Sequence, residues 1–207
     1  GGLDLSQSVE NEHFCMQVLK ALELPVAETC MVDFAGERAL VIKRFDRRWT
    51  KDGRLIRLPQ EDCCQALSIP PAIKYESDGG PGILSVMELL KGSDAPLDDQ
   101  RFFMSAHFAF WLLGANDGHA KNFSLALYPG GGFRLTPLYD VMSTQPLLSS
   151  GELRRNQMRL AMAIGDSRNY RVQEIQPRHF YQSATSAGMA KHAIVEALRD
   201  VSGRMRA

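Results

Sequence analysis

The chain predicts an α+β fold, with a small helix-and-hairpin unit ahead of a mainly helical body. Three observations carry that expectation. Apolar residues at helical spacing over 9–22 give way to two short apolar, β-branched runs around Ala35-Gly36-Glu37. A later stretch, Arg101 to Gly114, is apolar nearly all round, the pattern of a helix buried inside an α-rich lobe. A polar loop, Asp117-Gly118-His119-Ala120-Lys121-Asn122, follows that stretch directly.

Each element has its own signal. Ser8 can cap the first helix, Val9, Phe14, Met16, Val18, Leu19 and Leu22 form its apolar face, and Pro25 stops it. Thr29–Phe34 and Arg38–Phe45 read as a hairpin. Arg44-Phe-Asp-Arg-Arg-Trp49 leaves it as a charged connector, and Asp52-Gly53 marks another turn. Prolines and glycines between 59 and 82 break any long element. Residues 83–91 and 101–114 read as helices, with Gly114 ending the second. Phe123–Tyr128 and Phe133–Pro137 read as a hairpin around Pro129-Gly-Gly-Gly132, and 150–207 reads as helical with loops.

Composition bounds the possibilities. At 207 residues the chain can bury a real core, as one domain or one and a half. Hydrophobic residues at 44% and charged residues at 23% are ordinary for a globular protein, and the formal net charge is zero. The charge is uneven: residues 151–207 hold ten Lys/Arg against five Asp/Glu, leaving the first 150 residues at −5. A basic tail hints at an anionic partner, although a solvated helix face is the commoner cause. The cysteines, Cys15, Cys30, Cys63 and Cys64, have no zinc spacing and read as buried thiols in a reducing cytoplasm. No apolar run is long enough to span a membrane. The start has neither Met nor the pattern of a signal peptide, so the expectation is a piece cut from a longer protein.

The chemistry concentrates in one constellation. Asp117 and Asn122 stand five positions apart, and Asp140 closes Leu135-Thr-Pro-Leu-Tyr-Asp140 after the hairpin. Kinase-type phosphoryl transfer needs such a set: a carboxylate for the incoming hydroxyl, and an amide and a second carboxylate to hold magnesium on the ATP phosphates. Mg²⁺ prefers hard oxygen ligands of this kind. His119 and Lys121 share the loop and could face the phosphates. The plainer alternative is an Asp-Gly turn capped by Asn122. The end of the second strand, Lys43 to Asp46, could offer main-chain groups to adenine through Lys43 and Phe45, with Asp46 on a ribose hydroxyl; a solvated edge strand is the simpler reading. Ser77-Asp-Gly-Gly-Pro-Gly82 lacks the GK[ST] ending of a P-loop and reads as a turn near the site. His13 and His107 read as packed or surface histidines. Arg154, Arg155 and Arg159, with a looser set of Arg168, Arg171 and Arg178, form the basic tail.

Several stretches together resemble the HipA family, the serine/threonine-kinase toxins of HipBA toxin–antitoxin pairs. They are Asp4-Leu-Ser-Gln-Ser8, Arg44–Trp49, Leu58-Pro-Gln-Glu-Asp62, Lys74-Tyr-Glu-Ser-Asp-Gly-Gly-Pro-Gly82, Gly114–Ser124, Arg134–Asp140 and Pro177-Arg-His-Phe180, in the family's order over most of the chain. The resemblance implies a protein-kinase-like fold. Residues 1–45 would be a remnant of the N-lobe with a hinge at 43–46. Residues 46–207 would form the α-helical C-lobe, with a catalytic loop at 114–124 and a metal-binding segment at 135–140. It implies Asp117 as base, Asn122 and Asp140 on Mg²⁺, His119 near the phosphates, main-chain adenine contacts from Lys43 and Phe45, and Asp46 near the ribose. It further implies ATP as donor, an aminoacyl-tRNA synthetase as acceptor with growth arrest as the outcome, a HipB-like antitoxin, and operator DNA met through the basic tail. The family's Gly-rich phosphate loop, ATP-contacting lysine and regulatory serine find no match here, so the fragment is expected to be inactive alone. Two other readings share the motif: a small-molecule phosphotransferase, and a catalytically dead regulatory or DNA-binding module.

Overall fold

A computed structural model describes residues 7–205. Helix α1, Ser8–Ala21, opens the chain, and its cap is Gln7 with no side-chain cap bond. Ser8, read as the cap, is instead the first helical residue. Residues 4–6 of the stretch matched at Asp4–Ser8, with the rest of the first six residues of the 1–45 unit, lie outside the described residues. The helix ends as expected, before Glu23 turns to positive φ and Pro25 follows. Strands β1, Thr29–Phe34, and β2, Glu37–Ile42, pair antiparallel around the Ala35-Gly36 turn. The charged connector is partly strand: β3, Arg47–Trp49, pairs with β4, Leu55–Arg57, around the turn holding Asp52-Gly53.

Strand β5, Gln60–Asp62, joins a three-stranded antiparallel sheet in the order β5-β6-β7. Asp62 then caps the short helix α2, Cys63–Ala66, in a reciprocal capping box with Gln65. Helix α3 spans Ile83–Leu90. Helix α4 spans Pro96–Leu113, starting five residues before the apolar run because Pro96 sits in the first turn, where its missing N–H costs nothing. Gly114 ends α4 at φ +65°; a Cβ there would stand 3.0 Å from Met158 Cε. Strands β6, Ser124–Leu127, and β7, Phe133–Leu135, form the expected hairpin. Helix α5, Gln145–Ser149, follows.

The C-terminal stretch departs from the expectation of helix and loop. Strands β8, Arg159–Ile164, and β9, Asn169–Arg171, form a hairpin before helices α6, Pro177–Ser186, and α7, Lys191–Arg204. Leu160-Ala-Met-Ala-Ile164 would suit a helix by local preference. All five are buried, with β8 packed against α6, α3 and the turn at 76–78, and packing overrides propensity.

One core runs through the molecule. Cys15, Met16 and Leu19 of α1 belong to the same cluster as Phe103, Phe108 and Phe110 of α4, Phe123, and Phe180 of α6. Trp111 Nε1 donates to the Val172 carbonyl at 3.0 Å, and Gln100 Nε2 to that of Met87 at 2.9 Å, tying α4 to its neighbours. Three of the cysteines are buried as expected, but Cys30, on β1, is exposed. Among the described residues no helix is long and apolar enough to cross a membrane.

Candidate active site

The loop after α4 is fixed from beneath. Gly118 lies against Phe110 so closely that a Cβ would meet the ring at 2.7 Å. Within the loop, His119 N–H donates to the Asp117 carbonyl at 2.8 Å and Asn122 N–H to that of His119 at 2.9 Å. Asn122 is buried. Its Nδ2 donates to the Asp117 carbonyl at 2.9 Å and reaches the Asp140 carbonyl at 3.5 Å. Both amide protons thus point to main chain, which leaves Oδ1 as the side chain's outward group. Asp140 is exposed and holds φ +57°, a left-handed conformation that aspartate tolerates better than most residues. The sequence motif is therefore one place in the fold: Asp117, His119, Asn122 and Asp140 converge.

The two carboxylates differ in surroundings. Asp117 is exposed; its Oδ1 accepts from the Tyr75 hydroxyl at 2.7 Å, and its Oδ2 lies 3.8 Å from His119 Nε2. His119 is buried, and its Nδ1 has no hydrogen-bond partner. Burial pushes the imidazole below the usual histidine range and Lys74 adds to this, while Asp117 and Asp140 pull the other way. Near Asp140 lies Glu12 of α1. Its carboxyl is pushed up by burial and then by the Asp140 charge. Lys121 turns away from the loop's open side and pairs with Asp62 at 2.7 Å.

The residues at the end of β2 are set differently from one another. Lys43 N–H continues the hairpin by donating to the Glu28 carbonyl at 2.9 Å, and its ammonium pairs with the Glu28 carboxylate. The Lys43 carbonyl and the Phe45 N–H take part in no main-chain hydrogen bond among the described residues. Phe45 packs on Tyr139, ring centroids 5.9 Å apart, next to Asp140. Asp46 is 4% exposed and gripped by Arg44 at 2.7 and 2.8 Å and by Arg47, with Arg57 at 3.9 Å. The Arg44 hydrogen bonds hold its carboxyl below the usual range. A ribose hydroxyl at Asp46 would compete with those guanidinium groups.

Three residues beside the loop escaped the sequence reading of the site: Tyr75, Asn116 and Glu12. Tyr75 meets Asp117 from 42 positions away, a distance no local pattern reports. Asn116 adjoins the motif, and its Oδ1 is buried without a partner. Among the described residues no group of three or more His, Cys, Asp or Glu could hold a metal by itself. Two oxygens from Asn122 and Asp140 suit an ion that keeps waters and substrate phosphates in its shell, as Mg²⁺ does.

A family model described as the HipA-like C-terminal domain matches residues 2–207. This chain belongs to that family. The Shewanella oneidensis serine/threonine-protein kinase toxin HipA is 27% identical over 215 residues, covering 95% of this chain and 46% of the relative. A Sinorhizobium fredii protein, Y4mE, is 41% identical over 138 residues, 66% of this chain and 33% of that one. A solved Shewanella oneidensis complex of HipA, HipB and operator DNA holds a chain that superposes with TM-score 0.83 at 26% identity, over 95% of this chain and 47% of that one. The chain thus spans about half or less of the length of these relatives. The Helicobacter pylori proinflammatory kinase CtkA shares the fold, with TM-score 0.57 at 13% identity. The architecture is the HipA-like, protein-kinase-like α+β fold.

Within this HipA-like domain the basic tail is not one patch. Arg168 pairs with Glu76 at 3.0 Å and Arg171 with Glu174 at 3.2 Å. Arg178 lies beside His179, while Arg154 and Arg155 open a short 3-10 turn and are exposed. Arg159 stands over the ring of Tyr170.

Proposed function

We propose that this domain carries the catalytic half of a HipA-type serine/threonine-protein kinase. It would transfer the γ-phosphoryl group of ATP to a hydroxyl of another protein. The observation that carries this reading is Asn122: its amide protons are held by main-chain carbonyls, so a neutral oxygen is presented beside Asp140 and within the same loop as the exposed Asp117.

Bound Mg-ATP would supply the phosphoryl group and the charge that balances it. Asn122 Oδ1 and the Asp140 carboxylate would hold the metal. Asp117 Oδ2 would accept the hydrogen bond of the incoming hydroxyl and take its proton as that oxygen bonds to the γ-phosphorus and the bond from this phosphorus to the bridging oxygen breaks, releasing ADP. Tyr75, on Oδ1, keeps the other oxygen turned outward. His119, whose burial disfavours the charged imidazolium, can donate to a phosphate oxygen through one ring nitrogen. The Lys43 carbonyl and Phe45 N–H are the main-chain pair open to an adenine edge. The acceptor we propose is an aminoacyl-tRNA synthetase, with halted translation and growth arrest as the result. A HipB-like antitoxin, operator DNA reached through the basic tail, and a cytoplasmic setting belong to the same proposal.

The test is phosphopeptide mass spectrometry of the full-length gene product incubated with Mg-ATP and a mixture of synthetases, beside Asp117→Ala. Phosphoserine or phosphothreonine on a synthetase, reduced roughly 10²- to 10⁴-fold in the variant, is the expected result. Transfer that survives the substitution sinks the assignment of Asp117.

A further inference from the structure

One cation beside the Asp117–Asn122 loop has no anion to serve. Lys74 is half-buried, and its Nζ lies 5.0 Å from the centre of the Tyr75 ring. Its ammonium makes no ion pair or hydrogen bond among the described residues. We propose that Lys74 is a further catalytic residue, whose ammonium meets the γ-phosphoryl oxygens of ATP and steadies their charge during transfer. The proposal rests on the phosphoryl-transfer reading of Asp117.

Tyr75 ties Lys74 to the site. The Tyr75 hydroxyl donates to Asp117 Oδ1 at 2.7 Å, and its ring stands edge-on to His119 with 5.1 Å between centres. The Lys74 charge reaches His119, where it opposes protonation of the imidazole. The ammonium therefore shares a polar neighbourhood with the groups assigned to the acceptor hydroxyl and to the phosphates. The lysine within the loop is already engaged, since Lys121 pairs with Asp62 at 2.7 Å. Asp117 and Asp140, with Glu12 close to Asp140, leave the site negative. A phosphoryl group in transfer spreads negative charge over its outer oxygens, so such a site gains from a cation besides its metal.

The main chain under Lys74 is braced. Gly80 packs so closely that a Cβ there would stand 2.1 Å from the Ile73 carbonyl oxygen and 2.7 Å from that of Tyr75. The Gly80 N–H donates to the Tyr75 carbonyl at 2.9 Å. Glu76, next in sequence, accepts the N–H of Ala163 on β8 at 2.6 Å and pairs with Arg168 at 3.0 Å. The Gly/Pro-rich turn that lacks the ending of a P-loop is thus a rigid mount for Lys74 and Tyr75. The lysine's flexible four-carbon stem supplies the movement, from the aromatic face to an anion.

The role is charge stabilisation and not proton transfer. The acceptor oxygen bonds to the γ-phosphorus, and the bond from this phosphorus to the bridging oxygen breaks. ADP leaves with that electron pair, and the hydroxyl proton goes to Asp117. Lys74 exchanges no proton in this step. It changes partner, leaving the Tyr75 ring for oxygens whose charge has begun to shift. An ammonium suits that task, because lysine serves phosphate as a compact point charge and needs no two-pronged alignment.

The test compares the full-length gene product with its Lys74→Met and Lys74→Arg variants, each checked for folding by thermal melts. Calorimetry reads the binding of Mg-ADP alone and of Mg-ADP with aluminium fluoride, which mimics the phosphoryl group in transfer. Transfer from labelled Mg-ATP to a synthetase mixture is read in parallel. Lys74→Met should leave Mg-ADP binding unchanged, weaken the fluoride complex roughly 10²-fold and lower kcat by roughly 10²- to 10³-fold. Lys74→Arg should recover part of both losses. Should Lys74→Met melt early, Lys74→Gln is read in the same way. Equal weakening of Mg-ADP and of the fluoride complex would make Lys74 a prop of the nucleotide pocket and overturns the proposal. A raised KM for the acceptor with the fluoride complex intact would place Lys74 on the acceptor and overturns it too. Transfer at an undiminished rate in Lys74→Met ends this inference and leaves the kinase reading standing. A parent protein that binds neither nucleotide form ends both.

Discussion

Phe103 and Phe34 are the same residue in opposite circumstances. Phe103 of α4 is 0% exposed, edge-on to Phe123 and close to His107; Phe34 at the end of β1 is 59% exposed. The contrast extends to their surroundings. Helix α4 has neighbours on nearly every side, whereas the β1–β2 hairpin leaves Met31, Val41 and Ile42 exposed as well. A two-stranded hairpin gains little stability by itself. The body around α4 therefore holds the fold and positions the Asp117–Asn122 loop through Phe110 and Gly118. The hairpin delivers the Lys43–Asp46 segment to that body, which it reaches through Phe45 on Tyr139.

The largest expected effect tests that division directly. Phe103→Ala should cost about 3 to 5 kcal/mol, and Phe34→Ala should stay within about 0.5 kcal/mol, both by urea denaturation. Equal losses at the two sites would mean that the hairpin is as much a part of the cooperative unit as α4. The next effect belongs to the body alone. His107 is fully buried, stacked on Phe123, with Nδ1 on the Phe103 carbonyl and Nε2 unpartnered; burial pushes its pKa down to about 4 from an ordinary 6.5. The folded state therefore binds fewer protons than the unfolded state between those values. Its contribution is complete above pH 6.5 and lost as pH falls toward 4, in total about 3 kcal/mol. His107→Phe should flatten the decline of stability over that window. A decline of unchanged slope would show that other groups cause it.

A smaller effect separates a buried ion pair from an exposed one. Asp99 is buried, accepts from Arg134 Nε through both oxygens at 3.1 Å and from Leu135 N–H at 3.2 Å, and so fastens α4 to β7. Asp99→Asn should cost about 2 kcal/mol, the scale of charge-assisted hydrogen bonds in a partly buried place. Glu28→Gln, which removes an exposed partner of Lys43 on the hairpin side, should change stability by less than about 0.5 kcal/mol. Melting temperatures of the two variants decide it.

The same division governs what could be read in the sequence. Local signals served where structure is local: the Ala35-Gly36 turn, the stop of α4 at Gly114, and the Asp117–Asn122 spacing. They failed where a distant surface decides. Gln60-Glu61-Asp62 is too short and polar to read as a strand, yet it pairs with β6. The β8 run reads as helix and is held extended by α6 and Glu76. Asp46 looked free for a ligand in a charged connector, and the same connector's arginines engage it. The candidate site was legible as a set of residue types and not as a complete arrangement, because Tyr75 comes from a segment far from the loop in sequence.

Tyr75 gives the smallest and most selective expectation. Its hydroxyl stays protonated in any ordinary assay, since burial and then the Asp117 hydrogen bond push its pKa up to about 12. It is therefore a permanent donor to Asp117 Oδ1, and its ring rests edge-on to His119 with Lys74 Nζ 5.0 Å from its centre. Removing only the oxygen leaves those ring contacts. Tyr75→Phe should lower kcat about tenfold, the worth of one hydrogen bond that orients a carboxylate, with KM for ATP unchanged. A structural role alone would lower the melting temperature and leave kcat per folded molecule intact. The opposite sign is equally informative. A faster Tyr75→Phe enzyme would mean that the tyrosine hydroxyl occupies the seat of the acceptor hydroxyl, and that Tyr75 is a latch to be displaced and not a prop.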